Sequence, residues 1–464
     1  MSTRRDFLRT SAVAAVGAAA ASCSKAPETP VQKPVTGNSA SLLVKNPDHP
    51  QPATFDRLPL EWYKATVGRL QQKLGERGLD GIVLTDRWNI IYFTGLFHTT
   101  TERPFAAFIP TKELAVYWFH PGLDLELVKS WWATDREYYY DFHHAEGGFP
   151  NEGKVAIGPP VDLVEWQLRG LAKRGFGDKK IGLSEPPSAR KLAHMQKILP
   201  KAKFEDADDI CLKMRVVKTP EEIALTQRAM NYFSQIHAFG RDYILSRGTD
   251  ATDFEVANAV QKYGTDLVMK DIKRDGKPHT AVGIEVEIGC RTGIGTAYPH
   301  PNQFHHNKIK KGDSIQIAGV VKIGGYGGEL YAPYQIAPWP AGGEKMWQVM
   351  AEGSNMQVRM SKAGARAQEI AKAIHEYQVQ QGMQKYLYQR IAHGEGMEGH
   401  QYPYIALGNV DILEEGMTFS MEPGLFAPEE GYGYNPSDNV LVTKDKGVAM
   451  GSKPLTKEWH LLTL

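Results

Sequence analysis

The chain has 464 residues, of which 42% are hydrophobic and 23% charged, and its net charge is +1. That length makes two domains the default, and the near-neutral balance excludes wholesale nucleic-acid binding. The three cysteines, Cys23, Cys211 and Cys290, lack the spacing of a zinc motif and are too few for a disulfide scaffold.

The N-terminus carries Ser2-Thr3-Arg4-Arg5-Asp6-Phe7-Leu8-Arg9 and then an alanine-rich run to Ala21. It resembles a twin-arginine export signal over residues 1–22, too short and too weakly apolar to span a bilayer. Ala20-Ala21-Ser22-Cys23 is similar to a lipoprotein cleavage box, with Ala20 where Leu is usual, and makes Cys23 a candidate for acylation. The expectation is an exported, periplasmic protein that uses the twin-arginine machinery, with a lipid anchor on Cys23 as its one route to the membrane. Residues 24–53 hold six prolines and little apolar content, so 23–54 reads as an extended, flexible tether.

Folding is expected to start at residue 55. Leu60 to Arg77 places Val67, Leu70 and Leu74 at helical spacing and stops at Gly78, and Gly81 to Thr85 reads as a buried strand. Further strands are expected at Phe105 to Ile109, Leu114 to Trp118 and Lys180 to Leu183, so residues 55–214 form an α/β domain. Thr219-Pro220-Glu221-Glu222 combines a cap, a proline at the first helical position and a glutamate three residues after the cap. A long helix must begin there, and a second domain is assigned to residues 215–464.

The residues with chemical potential fall between His300 and Ser437. His393 and His400 lie seven apart in a glycine-rich stretch, suited to a strand and loop whose backbone approaches a ligand. Two imidazoles near a carboxylate can ligate a metal or move protons. Glu422 precedes Pro423-Gly424 at an expected strand end. Gly324 to Gly328 has no following Lys-Ser/Thr and reads as a hairpin turn, not a phosphate loop.

In order along the chain stand Leu212 to Glu222, Pro299-His300-Pro301, Lys311-Gly312-Asp313, Gly324 to Glu329, His393-Gly394-Glu395-Gly396 with His400, and Met421-Glu422-Pro423-Gly424. Together they resemble the superfamily of creatinase, prolidase, aminopeptidase P and methionine aminopeptidase, over roughly residues 55–460. The resemblance implies an α+β architecture: an N-terminal α/β creatinase-like domain, then a C-terminal pita-bread domain, usually in a homodimer. It also implies five metal ligands in the metal-dependent relatives. His393 and Glu422 match two of these, and Glu329 stands for the second Asp. Ala318 occupies the place of the first Asp and Ser437 that of the last Glu, with Asp438 beside it. A complete two-metal centre is therefore not expected. Glu329, His393 and Glu422 can still hold a single divalent ion, Mn, Zn or Fe, or the site is free of metal as in creatinase.

The resemblance also places His300 facing the substrate and Arg103 of the partner subunit as a clamp for a substrate carboxylate. The leading expectation is a creatinase-like hydrolase of a C–N bond in a small carboxylate-bearing substrate. His300 would be the general acid/base, Glu422 and Glu329 would orient water or the substrate nitrogen, and His393 and His400 would polarise the carbon. One alternative is an Xaa-Pro aminopeptidase or prolidase acting on short peptides with one ion. Another is an inactive member kept as a binding protein.

Overall fold

The computed structural model describes residues 37–98, 101–141, 146–272, 282–300 and 307–464. The signal-like leader, Cys23, His305 and His306 lie outside them.

The N-terminal part opens with α1 (Leu60–Glu76), β1 (Gly81–Leu84) and α2 (Arg87–Thr94). It continues through β2 (Ala106–Pro110), β3 (Tyr117–Pro121), α3 (Leu125–Lys129) and β4 (Asp135–Tyr139). It ends with α4 (Leu163–Leu171), β5 (Lys180–Leu183), α5 (Ala189–Ile198), β6 (Lys203–Asp206) and α6 (Asp208–Val216). The strands make one mixed sheet in the order β4-β3-β2-β1-β5-β6. All four residues of β1 are buried, as its unbroken apolar run requires of a central strand. The third strand begins at Tyr117 instead of Leu114, because Leu114 is exposed in the turn and pairing with Ala106 to Phe108 starts only at Tyr117.

The C-terminal part begins with α7 (Pro220–Arg247), whose Thr219 and Glu222 form the capping box read from the sequence. Next come α8 (Asp253–Asp271), β7 (Glu285–Thr292), β8 (Ser314–Ile323), β9 (Tyr326–Glu329) and β10 (Ala332–Ile336). After α9 (Gly343–Met360) and α10 (Ala367–Gln380) lie β11 (Ala392–Gly394), β12 (Gln401–Ile405) and β13 (Thr418–Met421). The chain closes with β14 (Leu425–Ala427), β15 (Tyr432–Tyr434), β16 (Asn439–Val442), β17 (Gly447–Ala449), α11 (Lys457–His460) and β18 (Leu461–Leu462). One sheet runs β18-β10-β8-β7 with β9 also paired to β8, and a second runs β12-β11-β13-β16-β17. Helices α7 and α8 pack on the first sheet, and α9 and α10 pack on each other and against the second.

Two features tie the parts together. One apolar cluster runs from Trp62, Tyr63 and Tyr92 through Leu225 and Met230 to Ile317 and Tyr334. Trp62 Nε1 also donates to Thr219 Oγ1 at 3.2 Å, so the cap of α7 is fixed by a side chain of α1.

The tether reading is corrected for its described half. Ser39 is buried, its backbone N–H donates to Asp242 Oδ2 at 3.1 Å, and Arg241 donates to its hydroxyl at 2.8 Å. Val44 and Ala53 donate backbone bonds to Ser452 and Ala224. Residues 37–54 are thus held by α7 and by the segment after β17. Among the described residues no helix is long and apolar enough to cross a membrane.

Candidate active site

The two C-terminal sheets meet at a short bridge in which Tyr331 and Ser437 exchange backbone hydrogen bonds of 3.1 and 3.3 Å. Glu329 reaches this seam at the end of β9. The β8–β9 hairpin turns through Gly324 and Gly325, with φ of 58° and 88°, values that glycine adopts without strain. Gly328 lets the second sheet approach: a Cβ there would lie 2.3 Å from the Asn439 side chain.

His393 lies on β11, and its Nδ1 donates to the Gly394 carbonyl at 3.1 Å. That fixes the tautomer and leaves Nε2 free. Nε2 is buried without a hydrogen-bond partner and lies 3.5 Å from Oε2 of both Glu329 and Glu422. Glu422 follows β13 directly, at the strand end expected for it. The His400 ring stacks on His393 with centroids 3.9 Å apart, and its Nε2 is 3.7 Å from Glu329 Oε1. Arg390 donates to His400 Nδ1 at 3.3 Å, which puts the ring proton of His400 on Nε2, facing Glu329.

The charges follow from this packing. Burial alone would lower the His393 pKa, but the Glu329 and Glu422 carboxylates outweigh it and raise the value to about 11. Burial would likewise raise Glu329, yet His393 and the Ser420 hydroxyl hold it below the usual carboxylate range. Burial and the charge of His393 lower His400. In the absence of an ion, the arrangement is an imidazolium between two carboxylates.

The positions vacated by carboxylates are now visible. Ala318 sits on β8 opposite Gly289. The Ser437 hydroxyl lies 2.8 Å from Ser420 Oγ, which donates to Glu329 Oε2 at 2.7 Å, so hydroxyls fill that side of the centre. Asp438 does not replace the missing Glu. Successive residues on an extended strand point to opposite faces, and Asp438 turns away to accept from the Gly451 N–H at 2.8 Å. There it lines a separate cavity of about 310 Å³ with Lys453.

The remaining donors make a partial group for one divalent ion: the donor atoms of Glu329, His393 and His400 lie within 4.8 Å of one another, and Glu422 Oε2 lies 3.5 Å from the same His393 Nε2. A second ion would find no carboxylate at Ala318 or Ser437.

Two expected site residues make no hydrogen bond or ion pair with this cluster within the described residues. His300 is exposed in the loop after β7 and makes no hydrogen bond or ion pair with a described residue. Arg103 lies in the N-terminal part, where it donates to Asp141 at 2.8 Å and Glu102 at 2.6 Å, so its charge is already matched.

Sequence reasoning missed four participants. Ser420 and Tyr331 flank Glu329, and burial together with the Glu329 and Glu422 charges pushes the Tyr331 phenol well up. Glu395, two residues past His393, is fully buried with neither carboxylate oxygen hydrogen-bonded, in the middle of a motif that already drew attention. Arg291, near the end of β7, carries no motif at all.

Comparison with known proteins agrees with this architecture. Residues 67–217 match the creatinase/prolidase N-terminal domain and residues 223–444 the metallopeptidase family M24. A putative dipeptidase, YkvY, of Bacillus subtilis is 23% identical over 84% of this chain and 98% of its own length. An Xaa-Pro dipeptidase of Lactobacillus helveticus is 27% identical over 82% of this chain and 94% of its own. Among solved structures, the prolidase of Thermococcus sibiricus superposes with a TM-score of 0.68 at 20% identity, covering 87% of this chain and 99% of that one, a likeness of fold. With a creatinase-type α/β domain followed by a pita-bread domain, and with the motifs and both matches in the same order, the chain belongs to the creatinase, prolidase and aminopeptidase P superfamily.

Proposed function

We propose that the protein is a dipeptidase-like hydrolase of short peptides, of the prolidase type, working at a centre with one divalent ion. The peptide-type hydrolysis of a C–N bond goes with the superfamily, and the relatives named dipeptidase and Xaa-Pro dipeptidase favour peptides over the creatine-like substrates expected first. The observation that carries the one-ion reading is the free Nε2 of His393 facing two carboxylates.

Glu329, His393 and Glu422 would hold Mn, Zn or Fe, and the chemistry supplied there is a water acidified toward neutral pH and a polarised scissile carbonyl. Ser420 keeps Glu329 ionised through its 2.7 Å hydrogen bond. Glu422, the less buried of the two carboxylates, takes the proton of the attacking water. His400 offers its Nε2 proton to the substrate carbonyl. His300, from the loop before β8, protonates the leaving amine. Export by the twin-arginine route to the periplasm, acylation of Cys23 and a homodimer belong to the same reading and rest on the sequence.

The test is a substrate screen on the purified mature protein, combined with metal analysis. Xaa-Pro and other dipeptides are compared with creatine-like guanidino acids and amide or carbamate derivatives of amino acids. Turnover of dipeptides that chelation abolishes and one equivalent of Mn, Zn or Fe restores is the expected result. Turnover of guanidino acids in chelator would instead favour the creatinase-like mechanism, with His393 acting as an imidazolium. Tight binding without turnover would favour the binding-protein reading.

A further inference from the structure

Among the described residues, Arg291 has no ion-pair partner. Its side chain is largely buried, yet among the described residues no carboxylate lies within ion-pair distance, and every acceptor it meets is neutral. Nε donates to Gln316 Oε1, and Nη1 donates to the carbonyls of Tyr298 at 3.3 Å and Pro299 at 3.1 Å. Nη2 makes no hydrogen bond to a described residue. Buried charges are ordinarily paired, because desolvation is costly, so a guanidinium held on neutral carbonyls is a site prepared for an anion. Burial, only partly opposed by Tyr331 and the Glu422 carboxylate, lowers its pKa to about 10, so it remains cationic at neutral pH.

Its place in the sheet aims it at the substrate. Arg291 pairs with Gln316 across β7 and β8, Gly289 pairs with Ala318, and Val320 pairs with Glu329 across β8 and β9. Opposed residues, and those two apart on a strand, share a face. Arg291 therefore lies on the sheet face of Glu329, beside the position that Ala318 leaves without a carboxylate. A polar chain fixes it relative to Glu422: Gln316 Nε2 donates to the Asn435 carbonyl at 2.7 Å. Gln389 Nε2 then bridges Asn435 Oδ1 at 3.2 Å and the Glu422 carbonyl at 2.9 Å. The carbonyls that Nη1 holds belong to the two residues before His300.

We propose that Arg291 anchors the carboxylate of the substrate from within the same chain, and this rests on the peptidase reading above. The role is specificity, not chemistry. Arg103, already engaged with Asp141 and Glu102, is the poorer candidate for it. An Asp at position 318 would neutralise the guanidinium, so the loss of that ligand and the presence of this cation belong together.

The test uses alanyl-proline and alanyl-prolinamide, which differ only in the terminal carboxylate. Steady-state kinetics and calorimetric binding are measured for the wild type, Arg291→Met and Arg291→Lys. The wild type is expected to favour the acid by about 10- to 100-fold in KM and Kd, the range for losing a charge-assisted hydrogen bond. Arg291→Met should erase that preference by weakening the acid alone, with kcat for the acid changed less than about threefold. Arg291→Lys keeps the charge but not the fork and should lose part of the preference. An acid preference that survives in a folded Arg291→Met overturns the proposal; if that variant does not fold, an undiminished preference in Arg291→Lys does so. Turnover of both peptides by the wild type without acid preference sinks the anchor and leaves the peptidase reading. Acid-selective binding without turnover does the reverse, and no binding of either overturns both.

Discussion

Replacing His237 with Gln tests how the long helix supports the site strand. His237 is fully buried on α7, stacks on Phe233 with centroids 4.9 Å apart, and donates from Nε2 to the Leu330 carbonyl at 2.7 Å. Leu330 follows Glu329 directly, so this bond fixes the strand end from which Glu329 projects. Burial and the nearby Lys453 ammonium lower the His237 pKa to about 3. Between the unfolded value of about 6.5 and that of the folded state, the unfolded chain binds a proton that the folded chain refuses. Stability therefore falls as pH falls, by about 1.4 kcal/mol per pH unit for this one group. At pH 4.5 the loss is about 2.7 kcal/mol, a large share of a typical folding free energy. At pH 7.5 the Gln variant should be less stable by about 1–2 kcal/mol, from lost packing and a weakened bond to a buried carbonyl. Urea unfolding at pH 7.5, 5.5 and 4.5 should show the two proteins converging, with the variant equal or more stable at pH 4.5. His460, also buried with its pKa held well below the usual value, is present in both, and because burial is the main cause of its shift its contribution nearly cancels in the comparison. Parallel stability curves from pH 7.5 to 4.5 would refute the reasoning.

Ser420→Ala removes the 2.7 Å bond to Glu329 and should weaken ion binding by about 10- to 100-fold, as second-sphere losses do. A chelator competition that finds the affinity within twofold of wild type would count against it. Ala318→Asp combined with Ser437→Glu supplies the two missing carboxylates, and elemental analysis after Mn loading should rise from one to two ions per chain; one ion in both would show that the hydroxyl-filled side cannot be reopened. Thr219→Ala breaks the capping box of α7 and the Trp62 contact together. It should cost about 1–2 kcal/mol in chemical denaturation, and a loss below about 0.3 kcal/mol would deny the cap its role.

Legibility in the sequence followed the range of the interactions. The start of α7 was readable because Thr219, Pro220 and Glu222 act on one another within a single turn. The hairpin at Gly324-Gly325 was readable because its backbone angles demand glycine. His393, Glu329 and Glu422 were found as separate motifs, and the antiparallel pairing of β11 with β13 brings two of them together. The face of Asp438 was not readable, since one residue of register decides whether Ser437 or Asp438 turns to Glu329. Arg291 escaped because its meaning lies in the register of β7 against β8 and in a missing counter-ion, neither of which leaves a local pattern. Ser39 escaped for the same reason: its partner Asp242 is more than 200 positions away, and a proline-rich composition describes the unbound chain only.

The clamp of Ser39 on α7 sets the length of any leash. A fully extended chain gains at most about 3.5 Å per residue. A lipid on Cys23 would therefore have about 55 Å of slack if the fold begins at Ser39, against about 110 Å if it began at Phe55. The clamp thus halves the longest reach that an anchor at Cys23 would allow. Lengthening the segment before Ser39 would lengthen that leash without touching the contacts of Ser39 with α7.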